Sequence, residues 1–375
     1  MVFGTRPEAI KMAPLYHKLV ENNSIFNTKI CVTGQHKEML DQVLNTFEIV
    51  PDISLDLMKK NQDLFDLSSS GLLAMRDVLK KESPDIVLVH GDTTTSSIAA
   101  TSAFYMNIPV GHIEAGLRTY DIFSPYPEEF NRQLISKIST LHFAPTQTSK
   151  DNLISEKNLS NEIFVTGNTV IDALFWMDNK IQNNNDFRQE IEEKLDSVLN
   201  FNWKKQNYIL ITGHRRESFG DGFKDICKAI KTLAEENMNM HFIYPVHLNP
   251  NVQGPVYQIL SDLNNIHLIE PLKYQEFMFL LKHSYIILTD SGGIQEEAPS
   301  LGKPVVVMRD ITERPEAVKA GTVILSGNNK DAIIKEVTSL IKDKDKYLKM
   351  SKSYNPYGNG EACTKIVDIL KMLNE

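Results

Sequence analysis

Residues Thr289 to Glu316 read TDSGGIQEEAPSLGKPVVVMRDITERPE, and an apolar run, Tyr285-Ile-Ile-Leu288, leads into them. The run stops at Asp290-Ser291-Gly292-Gly293, where a short helical pattern opens. A strand that empties into a glycine pair at a helix start leaves backbone N–H groups unpaired and unshielded by side chains, which suits a phosphate. Glu296 and Glu297 follow within about the first turn of that helix, and one of them could accept both hydroxyls of a ribose diol. The stretch reads as a seat for a nucleotide diphosphate at the end of a parallel strand. It does not name a reaction.

The same strand-then-helix pattern extends outward in both directions. Strand candidates are Val2–Gly4, Lys29–Thr33, Ile86–His90, Pro109–Ile113, His142–Pro145 and Ile163–Thr166, then Tyr208–Thr212, His241–Val246, Ile266–Ile269, Tyr285–Thr289, Val305–Met308 and Val323–Leu325. Helical patterns such as Glu8–Val20, Lys37–Phe47, Leu64–Lys81 and Phe223–Glu236 lie between them, with apolar residues three and four apart. Continuous apolar strands alternating with helices imply parallel sheets covered on both faces. A stretch rich in Asn, Asp, Glu and Lys, Asn179 to Asn207, reads as a hydrated break between two Rossmann-like halves. Ligands of such sheets sit outside the carboxyl ends of the strands, so two halves suggest one cleft. Neither half has a GxGxxG loop, which argues against a nicotinamide or flavin site. The opening Met1-Val-Phe3 is short for a central strand, as if the strand were truncated or leading residues were missing.

The chain has 375 residues, 42% apolar and 23% charged, as expected of a globular protein of two domains. No apolar run approaches the roughly 20 residues needed to cross a bilayer, so no membrane partner is expected. Cys31, Cys227 and Cys363 share no metal-ligand spacing, and His36, His112 and His142 suggest none either. No metal is expected, and the cytoplasm is the natural compartment. A net charge of −8 argues against nucleic acid. Seven of nine arginines (Arg6, Arg118, Arg132, Arg215, Arg216, Arg309, Arg314) read as lying in loops just after apolar runs. Arginine is the better fork for phosphate, so a small anion is the expected ligand.

The loops at the strand ends carry the chemistry. Arg6 sits in a strand-to-helix turn with Pro7, and Lys11 one turn on faces the same way. Asp92 either caps the helix starting near Thr94 or faces the ligand. Glu114 ends an apolar strand, where a carboxylate is costly unless paired, Arg118 being one candidate, or facing a ligand. Glu128 and Glu129 stand at a helix start, which favours them electrostatically even without a function. Carboxylates converging at neighbouring strand ends raise one another's pKa, which makes a carboxyl a usable acid or base near neutral pH. His214, in Gly213-His-Arg-Arg-Glu217, could stabilise a leaving phosphate or donate a proton. His247 is a weaker case of the same kind, and Phe277 either stacks on a base or packs in the core.

Taken together, FGTRPEAIKMAPL, QHKEMLDQVL, VLVHGDTTT, IPVGHIEAGLRT, SPYPEEFNRQL, TGNTVIDAL, TGHRRESFG, YPVHLNPNV, LTDSGGIQEEAPSLGKPVVVMRD, TERPEAV and NPYGNGEA resemble the non-hydrolysing UDP-N-acetylglucosamine 2-epimerases of bacteria, in order along nearly the whole chain. The resemblance implies an α/β, GT-B-like fold of two Rossmann-like doubly wound parallel-sheet domains with an interdomain active-site cleft. Residues 1–170 would form the N-terminal domain, completed by 356–375 with a helix at Gly360–Leu373, and 171–355 the UDP-binding domain. It implies interconversion of UDP-GlcNAc and UDP-ManNAc without NAD, metal or other cofactor, feeding a cell-surface polysaccharide, by a homodimer. Elimination of UDP would give a 2-acetamidoglucal, to which UDP re-adds after the proton returns to the other face of C2. By resemblance the acids and bases are Asp92, Glu114 and Glu128. Arg6, Lys11, His214, Arg314 and the amides of Ser291, Gly292 and Gly293 would hold the diphosphate, Glu297 the ribose, and Phe277 and Leu272 the uracil. Some members bind a second UDP-GlcNAc; the matching residues are Gln35, Glu38, Glu128, Arg215 and His247, with Asn61 where some members have arginine. The rival readings are a GT-B glycosyltransferase, a hydrolysing epimerase releasing ManNAc, and a nucleotide-sugar binding protein without catalysis.

Overall fold

The computed structural model describes residues 1–34, 37–58, 62–215 and 218–372. Its strands, numbered along the chain, are β1 (Val2–Phe3), β2 (Cys31–Val32), β3 (Ile53–Ser54), β4 (Val87–His90), β5 (Val110–Ile113), β6 (Leu141–Ala144) and β7 (Ile163–Val165), then β8 (Tyr208–Thr212), β9 (His241–Pro245), β10 (Ile266–Ile269), β11 (Ile286–Thr289), β12 (Val305–Val307) and β13 (Val323–Leu325). Every ladder among them is parallel. All four residues of β4 and all four of β11 are buried, as strands covered by helices on both faces must be. The chain divides into two compact units, one of Met1–Ala173 with the segment from Tyr357 onward, the other of Leu174–Pro356. Each is a Rossmann-like doubly wound sheet, and the fold is GT-B-like.

In the first unit the sheets β1-β2-β3 and β4-β5-β6-β7 lie side by side along β1 and β4. The strand order is therefore 3-2-1-4-5-6-7, and the direction of winding reverses between β1 and β4. Gly4 sits at this seam, where an added methyl would stand 2.1 Å from Thr33 Oγ1 and 2.6 Å from Thr95 Oγ1. In the second unit the order β10-β9-β8-β11-β12-β13 puts the reversal between β8 and β11. The residues after these four strands are the ones an open sheet offers to a ligand.

Helix boundaries follow local chemistry. Thr5 caps Arg6–Glu21 in a reciprocal capping box with Glu8, with Pro7 in the first turn. Helix Asp221–Glu236 buries Phe223, Ile226, Cys227, Ile230, Leu233 and Ala234, one stripe at three- and four-residue steps. The closing helix, Ala362–Met372, packs on Arg6–Glu21. The Asp172 carboxylate accepts its first amides, Ala362 N at 3.2 Å and Cys363 N at 2.8 Å.

Two expectations need correction. Asn179 to Asn207 is not a hydrated break. Helices Thr169–Asn183 and Asn185–Val198 occupy most of it, and the latter packs on Tyr274–His283 in the second unit. Its apolar stripe is only Ile191 and Leu195, with Trp203 buried beyond, too thin to stand out among so many charges. The other omission is β3, two residues long and only partly buried, which no periodicity can reveal. Among the described residues no helix is long and apolar enough to cross a membrane.

Candidate active site

In the first unit β4 ends at His90, and Gly91 turns the chain outward at φ 65°. Asp92 does not cap the next helix, Thr94–Tyr105. Thr93 does, its hydroxyl accepting Ser96 N–H at 3.1 Å. The Asp92 carboxylate pairs instead with Arg132, and Asn131 Nδ2 donates to the Asp92 carbonyl at 2.9 Å. Burial raises the Asp92 pKa above its ordinary value; Glu114 and Glu128 push it the same way, while Arg132 and Lys11 oppose the rise. The expected convergence of Asp92, Glu114 and Glu128 is thus a single electrostatic cluster. A raised pKa makes the Asp92 carboxyl a better proton donor than an ordinary aspartate.

Glu114 stands one residue past β5 in the left-handed region, φ 63°. Lys11 forms an ion pair with its Oε2, Asn168 Nδ2 donates to the same oxygen at 2.8 Å, and His90 Nε2 lies 3.8 Å away. Burial lowers the His90 pKa to about 4, so this last contact is not an ion pair at neutral pH. Arg118 is not the partner of Glu114. Its Nε meets Glu156 Oε1 at 2.6 Å, and its other fork reaches Glu156 Oε2 at 2.8 Å and Ser136 Oγ at 2.9 Å.

Arg132 likewise lies in the second turn of helix Glu128–Ile138 rather than in a strand-end loop. Glu128 is half-buried at the start of that helix. Its neighbour Glu129 is fully buried on Thr119 N (3.0 Å), Tyr120 N (3.2 Å) and Gln133 Nε2 (2.8 Å), a structural post.

Arg6 is half-buried at the first turn of its helix. Beneath it lies a residue that sequence reasoning missed. The buried Glu8 carboxylate accepts Gly4 N at 3.0 Å, Thr5 N at 2.8 Å, Ser96 Oγ at 2.8 Å and Thr93 Oγ1. It ties the loop after β1 to the loop after β4 across the winding reversal. The only sequence signal was Thr5-x-x-Glu8, a capping box. Glu38 is exposed on helix Lys37–Thr46; Gln35, His36, Asn61 and Arg216 lie outside the described residues.

In the second unit the loops after β8 and β11 are joined by Asp290, which is 0% exposed. Its Oδ2 accepts His214 N at 2.6 Å and Arg215 N at 2.8 Å. Its Oδ1 has no hydrogen-bond partner and lies 3.6 Å from His214 Nδ1. The His214 ring stacks on His247, centroids 5.1 Å apart and planes at 12°. Burial lowers the His214 pKa; the Asp290 charge works against that, and His247 and Arg215 add to it.

Of the three amides expected to face a phosphate, that of Ser291 donates to Thr289 Oγ1 at 3.0 Å. Gly292 and Gly293 open helix Gly292–Ser300, where first-turn amides have no partner within the helix. A methyl on Gly292 would stand 2.9 Å from Glu313 Oε1 and 3.3 Å from Arg314 Cζ, so glycine is what lets these two side chains lie over the turn. Arg314 donates from Nε to Glu296 Oε1 at 2.7 Å and pairs with Glu313 at 3.1 Å; Arg309 holds the other Glu313 oxygen at 2.8 Å. Burial would raise the Glu313 pKa, but Arg314 and Arg309 outweigh it and hold the carboxyl at about 2. The two glutamates of Gln295-Glu-Glu297 therefore separate. Glu296 is committed to Arg314, while Glu297 accepts Tyr274 O–H at 3.5 Å. Leu272 and Phe277 are both half-buried, Phe277 in helix Tyr274–His283 between the buried Glu276 and Met278. Among the described residues no group of three or more His, Cys, Asp or Glu could hold a metal ion.

The chain matches the UDP-N-acetylglucosamine 2-epimerase family over residues 18–371. A UDP-N-acetylglucosamine 2-epimerase of Campylobacter jejuni is 56% identical over 370 residues, which is 99% of this chain and 96% of the relative. That of Escherichia coli K12 is 52% identical, covering 99% and 97%. Among solved structures, the UDP-GlcNAc 2-epimerase of Neisseria meningitidis bound to UDP-GlcNAc superposes with a TM-score of 0.91 at 51% identity, covering 99% of this chain and 98% of that one.

Proposed function

This chain belongs to the UDP-N-acetylglucosamine 2-epimerase family, and from that premise we propose that it interconverts UDP-GlcNAc and UDP-ManNAc by eliminating and re-adding UDP. One of the clustered carboxylates takes the C2 proton as the C1–O bond to UDP breaks, giving a C1=C2 double bond. A second returns a proton to the opposite face, and UDP re-adds at C1. The observation that carries this reading is the cluster of Asp92, Glu114 and Glu128, in which burial and like charge raise the Asp92 pKa. Glu114, paired with the Lys11 ammonium, is suited to accept a proton, and Asp92 to donate one. His214, Arg6, Arg314 and the amides of Gly292 and Gly293 carry the charge of the departing diphosphate. Glu297 takes the ribose, and Phe277 with Leu272 the uracil. In this reading Lys11 serves Glu114 first and the phosphate only through it. The product would supply ManNAc to a cell-surface polysaccharide, and the working form would be a homodimer, which light scattering on the purified chain checks.

The test is incubation with UDP-GlcNAc alone in D₂O, followed by NMR of the sugar. The expected product is UDP-ManNAc carrying deuterium at C2, with no added cofactor. Accumulation of free ManNAc would point to hydrolysis, and no turnover without an acceptor to a transferase or a binding protein; either overturns the proposal.

A further inference from the structure

Two motifs that carry the family resemblance, Thr166-Gly-Asn-Thr-Val-Ile-Asp-Ala-Leu174 and Asn355-Pro-Tyr-Gly-Asn-Gly-Glu-Ala362, take no part in the chemistry assigned above. Within the first unit they meet. Asn168 N–H donates to the Tyr357 carbonyl at 2.8 Å. A methyl on Gly167 (φ 92°) would stand 3.1 Å from that carbonyl, and one on Gly358 (φ 109°) 3.5 Å from Gly167 Cα. Glycine on both sides lets the two backbones touch while holding angles that side chains disfavour.

Asn168 is 2% exposed. Its Oδ1 accepts Val170 N–H at 3.1 Å, and only the amide oxygen can accept. The orientation of the amide is thereby fixed, and the atom 2.8 Å from Glu114 Oε2 is the donor Nδ2. One residue is thus braced behind by Tyr357 and at the side by Val170, with its amide N–H aimed at a carboxylate 54 positions earlier in the chain. Glu114 has need of such a hold, because it leaves β5 in the left-handed region, where no ladder fixes it. Lys11 and Asn168 both take Oε2. Glu114 Oε1 lies toward the turn that leads to Asp92, since a methyl on Gly91 would stand 3.6 Å from it.

We propose that Asn168 is the positioning residue for Glu114: its amide, braced on Tyr357, anchors Oε2 so that Oε1 is the oxygen that exchanges the sugar proton. This rests on the preceding reading that Glu114 works at C2. Asn168 itself touches no reacting atom. Its contribution is geometric, and misplacement of a reacting group by about 1 Å costs on the order of 100-fold in rate.

The experiment compares wild type with Glu114→Gln, Asn168→Asp and Asn168→Ser, measuring kcat against pH, UDP affinity and melting temperature. Asn168→Asp keeps the acceptor for Val170 but sets a carboxylate against Glu114. Like charge raises a carboxyl pKa, so the acid limb of kcat should move up by about one pH unit. The other titratable groups at Glu114, namely Lys11, His90 and Asp92, are unchanged in that variant. Asn168→Ser, too short to reach Glu114, should lose about 10- to 100-fold in kcat with UDP affinity within about twofold of wild type. Glu114→Gln separates the two levels of inference. If it retains full turnover, the reading of Glu114 as a C2 group fails, and the positioning role with it. If it is inactive while both Asn168 variants keep the wild-type kcat and pH profile, the positioning proposal alone is overturned. Failure of both Asn168 variants to fold, with Glu114→Gln folded, would assign Asn168 to the stability of the unit and likewise overturn it.

Discussion

Lowering the pH from 7 to 5.5 should strip stability from the first unit through three histidines beneath the carboxylate cluster. His90, His112 and His142, on the neighbouring strands β4, β5 and β6, are 3%, 0% and 1% exposed. Burial lowers their pKa values to about 4, 3 and 4. His112 Nε2 donates to the Gly91 carbonyl at 2.7 Å, which leaves its Nδ1 bare and without a partner, so a second proton there has nowhere to donate. In the unfolded chain each ring titrates near its ordinary value of about 6.5. Between the folded and unfolded values the unfolded chain binds more protons. The stabilisation is therefore complete above about pH 6.5 and is lost as the pH falls toward the folded values. At pH 6 the three unfolded rings hold about 2.3 protons and the folded rings almost none, a slope of about 3 kcal/mol per pH unit. Integrated from pH 7 to 5.5 the loss is about 4 kcal/mol, a large share of the roughly 5–15 kcal/mol that holds a domain folded. Both tryptophans, Trp176 and Trp203, belong to the second unit, so tryptophan fluorescence is the wrong probe. Hydrogen exchange by mass spectrometry on peptides from β5 and β6, corrected for intrinsic rates, reads the first unit directly. His142→Phe should lower the slope by about a third. A wild-type loss under about 1 kcal/mol would refute the neutral state of these rings, and an unchanged slope in the variant would refute their assignment as its source.

In Asp290→Asn both backbone amides keep an acceptor but His214 loses the charge 3.6 Å from its Nδ1. Because the His214 side chain is 42% exposed, water-like screening applies, and the loss of about 1 kcal/mol should move the basic limb of kcat down by somewhat less than one pH unit; an unmoved limb would show that charge on His214 does not support the departing diphosphate. Gly116→Ala drives a methyl to 2.2 Å from the Ser149 carbonyl at φ 91°, whereas Gly220→Ala, at φ 90°, meets nothing within 4 Å. Urea melts should put the second cost near the backbone term of about 1–3 kcal/mol and the first well above it; equal costs would show that the close approach relaxes freely. Glu8→Gln should destabilise the first unit by about 2–4 kcal/mol, since a buried carboxylate serving several donors is replaced by an amide with one accepting atom. A melting temperature within about 1 °C of wild type would contradict that role.

How much of this was legible in the sequence depended on what each residue does. β8, β10 and β13 have the ends the apolar runs predict, because each is a short run dominated by large or β-branched apolar residues with polar or glycine residues on either side. Asp92 and Glu114 stood out because a charge at the end of an apolar strand needs a reason. Residues whose work is to hold other residues left no comparable trace. Glu8 reaches Ser96 across 88 positions, Asp290 reaches back 76 to His214, and Asn168 54 to Glu114. No periodicity links such pairs. They become visible only once winding brings the ends of non-consecutive strands together. The arginines mislead for the converse reason: Arg118 and Arg132 carry the same charge as the anion binders, but Glu156 and Asp92 already use it.

The arginine-rich turn after β12 raises a question that composition cannot answer, namely why a proposed diphosphate seat keeps a glutamate in its midst. Arg309 and Arg314 both contact Glu313, and Arg215 comes within 4.0 Å of it. Without a carboxylate among them, guanidiniums this close would repel one another and move apart into solvent. Glu313, held ionised down to about pH 2 by the same arginines, keeps them gathered in the absence of a ligand. Glu296 adds a second hold on Arg314 from the helix side. The guanidiniums of Arg215, Arg309 and Arg314 are thereby gathered around one carboxylate, with Arg314 lying over Gly292. A diphosphate bound here as proposed would meet donors that are already oriented, so less ordering would remain to be done on binding. The close fit of Glu313 and Arg314 over Gly292 makes the glycine pair and the arginine turn parts of one device, although 20 residues separate them in the sequence.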